Sequence, residues 1–272
     1  MGIIKKIIFE KNKITSHFRE LPDFLILGNT FCGKTLLYNY LIQHKLVIEN
    51  FKEETGFFNV YFEKGVNWYK ANFASTIYKK SFKKIYGEIP KIGETINLPY
   101  QEIPKRVHEL IPNSKIIVIL RNPIDRAYAS HKWLVDAGIE EYSFENAIKQ
   151  KVDRRSKTNE SLIENKIEGL EIVSSYLYRS IYLYDIKNWA KFFPMKNMMF
   201  VKSEDLFNNP LSTTNNILEF LCLEKLDKIE SKENNENYDI PINDEFRNEL
   251  IEFFSPYNQK LYEYVGKDFG WD

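Results

Sequence analysis

The segment that most restricts the fold of this 272-residue chain is Gly28-Asn29-Thr30-Phe31-Cys32-Gly33-Lys34-Thr35, which separates an apolar run from an amphipathic one. Phe24-Leu25-Ile26-Leu27, just before it, has the composition and length of a buried strand. After it, Leu36, Leu37, Tyr40 and Leu41 recur at helical spacing. The segment itself fits Gly-x4-Gly-Lys-Thr. Glycines let the backbone curl so that successive N–H groups point inward, the following helix presents its positive end, and the lysine adds a full charge. Strand, loop and helix in that order make a cradle for a phosphate group.

The plan recurs further along. Lys115 to Leu120 (KIIVIL) reads as a buried strand, followed by Arg121-Asn122-Pro123 and a helix over Ile124 to Val135. Met198 to Val201 and Pro210 to Leu221 give a weaker third copy. Strands alternating with helices predict an α/β domain with a central parallel sheet flanked by helices, of the P-loop-like kind. No repeat of solenoid length is present. The polar stretches Lys151 to Leu170 and Glu224 to Asp244 read as surface loops or irregular helices of one domain spanning 1–272, with a core from about residue 21 and an N-terminal extension over 1–20.

Charge and cysteine content limit the partners. Lys+Arg and Asp+Glu are both 38, so no global field draws the chain to nucleic acid or an anionic membrane, and an anion site must be built locally. Two cysteines, Cys32 and Cys222, exclude a disulfide framework, and four histidines (His17, His44, His108 and His131) stand far from one another, so no metal cluster is expected. His131 suits a capping or solvated role. No apolar run approaches the roughly 20 residues of a membrane span, Met1 to Glu10 lacks a signal-peptide pattern, and Lys6 breaks the myristoylation pattern. The expectation is a cytoplasmic protein.

A magnesium-dependent triphosphate enzyme also needs an aspartate at the end of a neighbouring strand. Here the second strand ends on Arg121. A cation at that place suits a second anionic group on the same ligand, hence a doubly anionic nucleotide.

On these segments the chain resembles the nucleotide-activated sulfotransferases, which use 3′-phosphoadenosine 5′-phosphosulfate; bacterial and heparan-sulfate-type members look closest. The likeness runs from about Leu21 to Trp271. Leu21 to Gly28 with Cys32-Gly33-x-Thr35 resembles the family's 5′-phosphosulfate loop, and Lys115 to Pro123 with Asp125-Arg126-Ala127-Tyr128 resembles its 3′-phosphate motif. Phe193-Pro194, Ser203-Glu204-Asp205-Leu206 and Tyr257 to Trp271 fit later family segments. The resemblance implies that Cys32, Gly33, Thr35 and Leu36 hold the phosphosulfate and Arg121 the 3′-phosphate; the place of Lys34 on the first turn of the helix lets it join them, reaching back to the sulfonate and stabilising the leaving phosphate. The product would be adenosine 3′,5′-bisphosphate, with no metal required. Two positions depart from the pattern. Phe31 stands where the family loop carries lysine, the charge having moved to Lys34, and Ala129 stands at the family serine, with Ser130 beside it as the replacement.

Glu53-Glu54-Thr55-Gly56-Phe57-Phe58, then Tyr61 to Tyr69, resembles the acceptor segment of heparan-sulfate-type enzymes. That likeness implies Glu54 as general base on an acceptor hydroxyl, Glu53 being the runner-up, and a glycan or small molecule as acceptor. Gly56 replaces the family's histidine. Tyr61, Trp68 and Tyr69 fit core packing better than stacking on a sugar. Gly93-Glu94-Thr95 resembles another element near the family's active site, and Arg179 falls in a segment close to the ligand. The competing readings are a P-loop kinase or NTPase, from the complete Gly-x4-Gly-Lys-Thr, and a catalytically inactive nucleotide-binding protein, from Phe31 and Ala129.

Overall fold

The computed structural model describes residues 3–90, 102–153, 176–230 and 242–271. In chain order the strands are β1 (Phe24–Leu27), β2 (Gly87–Glu88), β3 (Lys115–Leu120) and β4 (Met198–Lys202). The helices are α1 (Ile3–Ile14), α2 (Lys34–Leu41), α3 (Gly65–Lys70), α4 (Thr76–Ser81), α5 (Glu102–Leu110), α6 (Pro123–Asp136), α7 (Phe144–Asp153), α8 (Leu183–Ala190), α9 (Ser203–Asn208), α10 (Pro210–Phe220) and α11 (Asp244–Val265). Gly93-Glu94-Thr95, most of Lys151 to Leu170 and residues 231–241 lie outside the described residues.

The described strands form one parallel sheet in the order β2-β1-β3-β4, with Phe24 in register with both Gly87 and Lys115, and Ile116 with Met198. Alternate residues go to opposite faces. Leu25, Leu27, Ile116, Val118 and Leu120 join α8 and the Trp271 end of the chain in one core. Phe24, Ile26, Ile117 and Ile119 join α2 and α10 in the other. Both faces are covered, which is why β1 and β3 read as unbroken apolar runs. A third cluster packs α6 and α7 against α11 through Ala127, Leu134, Phe144, Phe246 and Phe254.

In a sheet of this order the chain leaves β1 and β3 toward opposite sides, so a crevice opens at their C-terminal ends. The loops leaving those ends are Gly28–Gly33 and Arg121–Asn122. The sheet edge is tight: a Cβ on Gly87 would sit 2.1 Å from the Phe24 ring, which is fully buried. Gly87→Ala is therefore expected to destabilise the fold by about 1–3 kcal/mol, an overpacking penalty, read as a fall of several degrees in the thermal midpoint; an unchanged midpoint would mean that Phe24 moves aside freely.

Candidate active site

The loop from Gly28 to Gly33 is held by its carbonyl groups. Arg121 donates from Nη1 to the Phe31 carbonyl at 2.9 Å, and the Ser203 hydroxyl lies 2.7 Å from the Cys32 carbonyl and 2.9 Å from that of Leu120. Lys34 Nζ donates to the Gly28 carbonyl at 2.8 Å, and the Cys32 N–H donates to the Asn29 carbonyl at 3.3 Å. Phe31 and Gly33 have φ of 72° and 84°. Left-handed residues set between right-handed ones turn successive peptide N–H groups toward one concave side. With the carbonyl dipoles engaged elsewhere, the loop offers donors to its mouth.

The helix behind it is ready for an anion. Gly33, the N-cap of α2, gives no side-chain cap, and the first turn holds no acidic residue. The start of α6 differs, because Asn122 Oδ1 accepts from the Ile124 and Asp125 N–H groups, and Glu204 accepts from the Asn122 N–H at 2.7 Å. One junction is closed by its own residues and the other is open to a ligand.

Positive charge gathers beside the loop. Arg121 and Arg126 are both buried. Arg126 donates from Nε to Ser180 Oγ at 2.7 Å and from Nη2 to the Tyr176 carbonyl. Burial, reinforced by the neighbouring charges of Arg179 and Arg121, draws the Arg126 pKa below the usual guanidinium value. Asn29 donates its side-chain N–H to the Arg179 carbonyl, which ties that backbone to the glycine loop, and the Arg179 charge is felt at Arg126. Tyr182 Oη donates to the Arg121 carbonyl at 2.8 Å, tying the same segment to β3. Asp125 lies in the field of Arg121, and the three guanidinium groups together outnumber that carboxylate, so this donor set suits a ligand with more than one anionic group. The sequence motif contained Arg126 but gave it no role; an arginine on the inward face of a helix otherwise reading as core was the available signal.

The other expected residues fall as follows. Thr35 is exposed and Leu36 half-buried on α2. Ala129 is buried on the inner face of α6, while Ser130 is half-buried. His131 is buried, with Nε2 2.9 Å from the Tyr142 carbonyl and the ring among Tyr128, Phe144 and Tyr176, so it packs α6 and is neither a solvated side chain nor a cap. A small apolar pocket, lined by Leu27, Gly28, Asn29, Tyr182, Asp185 and Trp189, lies under the loop on the α8 side.

On the far side of β1, Glu54 is exposed and Glu53 half-buried in the stretch that leads into Phe57 and Phe58. Trp68 and Tyr69 are core residues, Tyr69 stacking on Phe57 with centroids 4.4 Å apart, as core packing required. The stretch is fastened to β2. The Ile89 N–H donates to the Glu53 carbonyl at 3.4 Å, and both hydroxyls of Thr55 and Tyr69 donate to the carboxylate of Glu88, which is fully buried. Sequence reading passed over Glu88, although Gly87-Glu88 repeats the Gly-Glu pair noted at Gly93-Glu94.

The Sulfotransferase domain family matches residues 21–238. The chain belongs to the sulfotransferases. It is 24% identical to "Membrane-associated sulfotransferase kil1" of Dictyostelium discoideum over 92% of this chain and 66% of that protein. It is 22% identical to "Heparan sulfate glucosamine 3-O-sulfotransferase 6" of Mus musculus over 93% of this chain and 75% of the relative. The crystal structure of a sulfotransferase from Alicyclobacillus acidocaldarius superposes with a TM-score of 0.65 at 22% identity, covering 93% of this chain and 99% of that one. That likeness establishes a P-loop-like α/β fold, and the enzyme class is sulfonate transfer.

Burial raises the Glu88 pKa to about 7, outweighing the two hydroxyl hydrogen bonds, with Glu54 adding repulsion. Between its ordinary value and about 7 the folded state therefore holds a proton that the unfolded state has lost. Its contribution to stability is full below the ordinary carboxylate pKa and is lost as pH rises through 7, a swing on the order of 3 kcal/mol. Glu88→Gln removes this titration while keeping the side-chain size. In chemical denaturation its stability relative to the natural protein is expected to improve from pH 5 to about pH 7 and to level off above that; a difference constant between pH 5 and pH 7 would contradict the assignment.

Proposed function

We propose that the enzyme transfers a sulfonate group from 3′-phosphoadenosine 5′-phosphosulfate to a hydroxyl of a carbohydrate. The observation that carries this reading is the pairing of an uncapped α2 N-terminus, its loop carbonyls turned away, with the Arg121–Arg126–Arg179 cluster one strand across. The backbone N–H groups of Gly33 to Leu36, with Cys32 shaping the turn before them, hold the 5′-phosphosulfate, and Arg121 with Ser130 holds the 3′-phosphate. The names of the heparan-sulfate relatives support a glycan acceptor. Two unlinked cysteines, Cys32 buried and Cys222 exposed, support a reducing compartment such as the cytoplasm.

The phosphosulfate supplies an activated sulfonate on a bisphosphate leaving group. Glu54, exposed at the edge of the sheet, takes the proton of the attacking hydroxyl, worth on the order of 10²–10⁴-fold in rate. Lys34 exchanges the Gly28 carbonyl for the phosphosulfate and neutralises charge that builds on the leaving phosphate. This is the part that the family's usual loop lysine plays, so Phe31 is free to serve as a packing residue whose ring lies 6.4 Å from that of Trp133. Arg121, already bonded to the loop, keeps the two phosphate sites in register.

Thermal shift separates this reading from its competitors. Adenosine 3′,5′-bisphosphate at a hundredfold excess over its Kd is expected to stabilise the protein by about 2.7 kcal/mol, with no need for magnesium. Stabilisation by ATP with magnesium alone would favour a kinase or NTPase, and binding without transfer to any glycan or alcohol would leave an inactive binding protein. Lys34→Ala is expected to lower transfer by about 10²–10³-fold, the usual loss for one transition-state donor, while Phe31→Ala leaves bisphosphate binding intact. Full activity in Lys34→Ala would refute the role given to that lysine.

A further inference from the structure

The end of the sheet opposite the active site carries an apolar surface that the fold does not use. On α1, Phe9 packs against Phe51 and Trp68, and Asn12 donates to the Ala71 carbonyl. Ile7 and Ile14, seven residues apart and so on one stripe of the helix, face the other way. The chain continues through Phe18 to Arg19, which bridges antiparallel to Ser75 and donates to the Phe73 carbonyl, bringing the end of α1 beside the start of α4. There Ile77 and Phe82 are exposed as well. These five side chains are between 56% and 79% exposed. Among the described residues, seven of the sixteen exposed large apolar or aromatic side chains fall in Ile7 to Phe18 and Ile77 to Phe82, two segments that the Arg19–Ser75 bridge brings next to each other.

The charges around it have one dominant sign. Residues 6–20 and 75–84 hold eight basic side chains and two acidic ones, in a chain whose total charge is zero. Both acids are engaged within the patch: Glu10 pairs with Lys13, and Glu20 with Lys79 and Lys80. Lys6, Lys11 and Lys83 are exposed around the isoleucines and Phe82, and Lys84 donates to the Tyr78 hydroxyl with its ammonium 5.9 Å from the centre of the Phe82 ring. An exposed apolar face ringed by lysines matches an anionic bilayer interface, where apolar side chains enter the headgroup boundary and ammonium groups meet lipid phosphates and carboxylates. A protein partner would need a complementary acidic rim around an apolar socket; a lipid surface offers both at once, without shape matching.

We infer that α1, the turn through Phe18 and α4 together form a membrane-docking surface for anionic lipid bilayers. The surface hangs on the N-terminal end of β1, since Lys79 pairs with Asp23 at 2.7 Å and the Tyr86 N–H donates to the same carboxylate at 3.0 Å. The glycine loop leaves the C-terminal end of that strand, roughly 13 Å away at about 3.3 Å per residue. Docking therefore turns the catalytic crevice away from the lipid and toward acceptors in the aqueous phase.

Vesicle flotation tests this without reference to catalysis. The full chain is expected to float with phosphatidylcholine vesicles containing 30% phosphatidylserine, at least tenfold more than with phosphatidylcholine alone, and to be released as salt rises. Ile14→Ser with Phe82→Ser, both at exposed positions, should abolish flotation while leaving the thermal midpoint and the bisphosphate-induced shift unchanged. Lys11→Glu with Lys83→Glu should weaken flotation on the anionic vesicles several-fold. The proposal is overturned if the natural protein stays unbound to anionic vesicles at low salt, if the serine variant floats as well as the parent, or if the patch proves to be buried in a dimer that the same variant disperses.

Discussion

The rest of the site depends on where the carbonyl groups of one loop point. A glycine-rich turn can present either its N–H groups or its C=O groups to the concave side, and only the first can hold an anion. Here the choice is made by side chains from three other elements. Arg121 at the end of β3, Ser203 at the start of α9 and Lys34 on α2 each take a carbonyl from the turn. Ser203 spans the Cys32 and Leu120 carbonyls, so the first and second strand-to-helix junctions are fixed to each other through the third. The sheet order makes this possible, because β1, β3 and β4 are direct neighbours and their C-terminal ends lie side by side.

The same arrangement explains how the altered loop is tolerated. Phe31 occupies a left-handed backbone position that normally disfavours a side chain by about 1–2 kcal/mol. It stays there because its carbonyl is bound by a buried guanidinium and its ring has Trp133 beside it. Lys34 stands on the first turn of a helix, from which its long flexible chain reaches back over the loop to the Gly28 carbonyl. Charge is kept at the mouth while the backbone geometry is held by residues elsewhere.

Much of this was legible in the sequence, and the part that was not has physical reasons. Strands β1 and β3 announced themselves because a parallel strand buried on both faces must be continuously apolar, and the glycine loop did so because few other sequences can make that turn. Strand β2 did not. Two residues long, it has no period to detect, and one of its residues is a glutamate, which composition assigns to the surface. Glu88 is buried because Thr55 and Tyr69 come from distant positions to meet it, and no local pattern encodes that encounter. Arg126 was hidden by a similar effect: in a helix of mixed composition, only the packing of the Tyr176–Ser180 segment against α6 reveals that its guanidinium points inward. Helix α1 was read as an extension, yet its Phe9 belongs to the main core.

Glu88 and the arginine cluster are unfavourable features of opposite sign on the two sides of β1. Each is a charge withdrawn from water, a carboxylate met by two hydroxyls on one side and, on the other, guanidinium groups met by carbonyls, a hydroxyl and the field of Asp125. A protein selected for stability alone would replace both with apolar side chains. Their placement fits the two halves of sulfonate transfer, since the anionic donor calls for surplus positive charge, and the acceptor's proton calls for a carboxylate held at the edge of the sheet. Under the role proposed for Glu54, Glu88 steadies that second half: Thr55 is the residue after Glu54, so the hydroxyl bond that anchors Thr55 to β2 also restricts where the Glu54 backbone can go. A strand of only two residues is sufficient for this, because its task is to hold one carboxylate beneath the stretch that carries another.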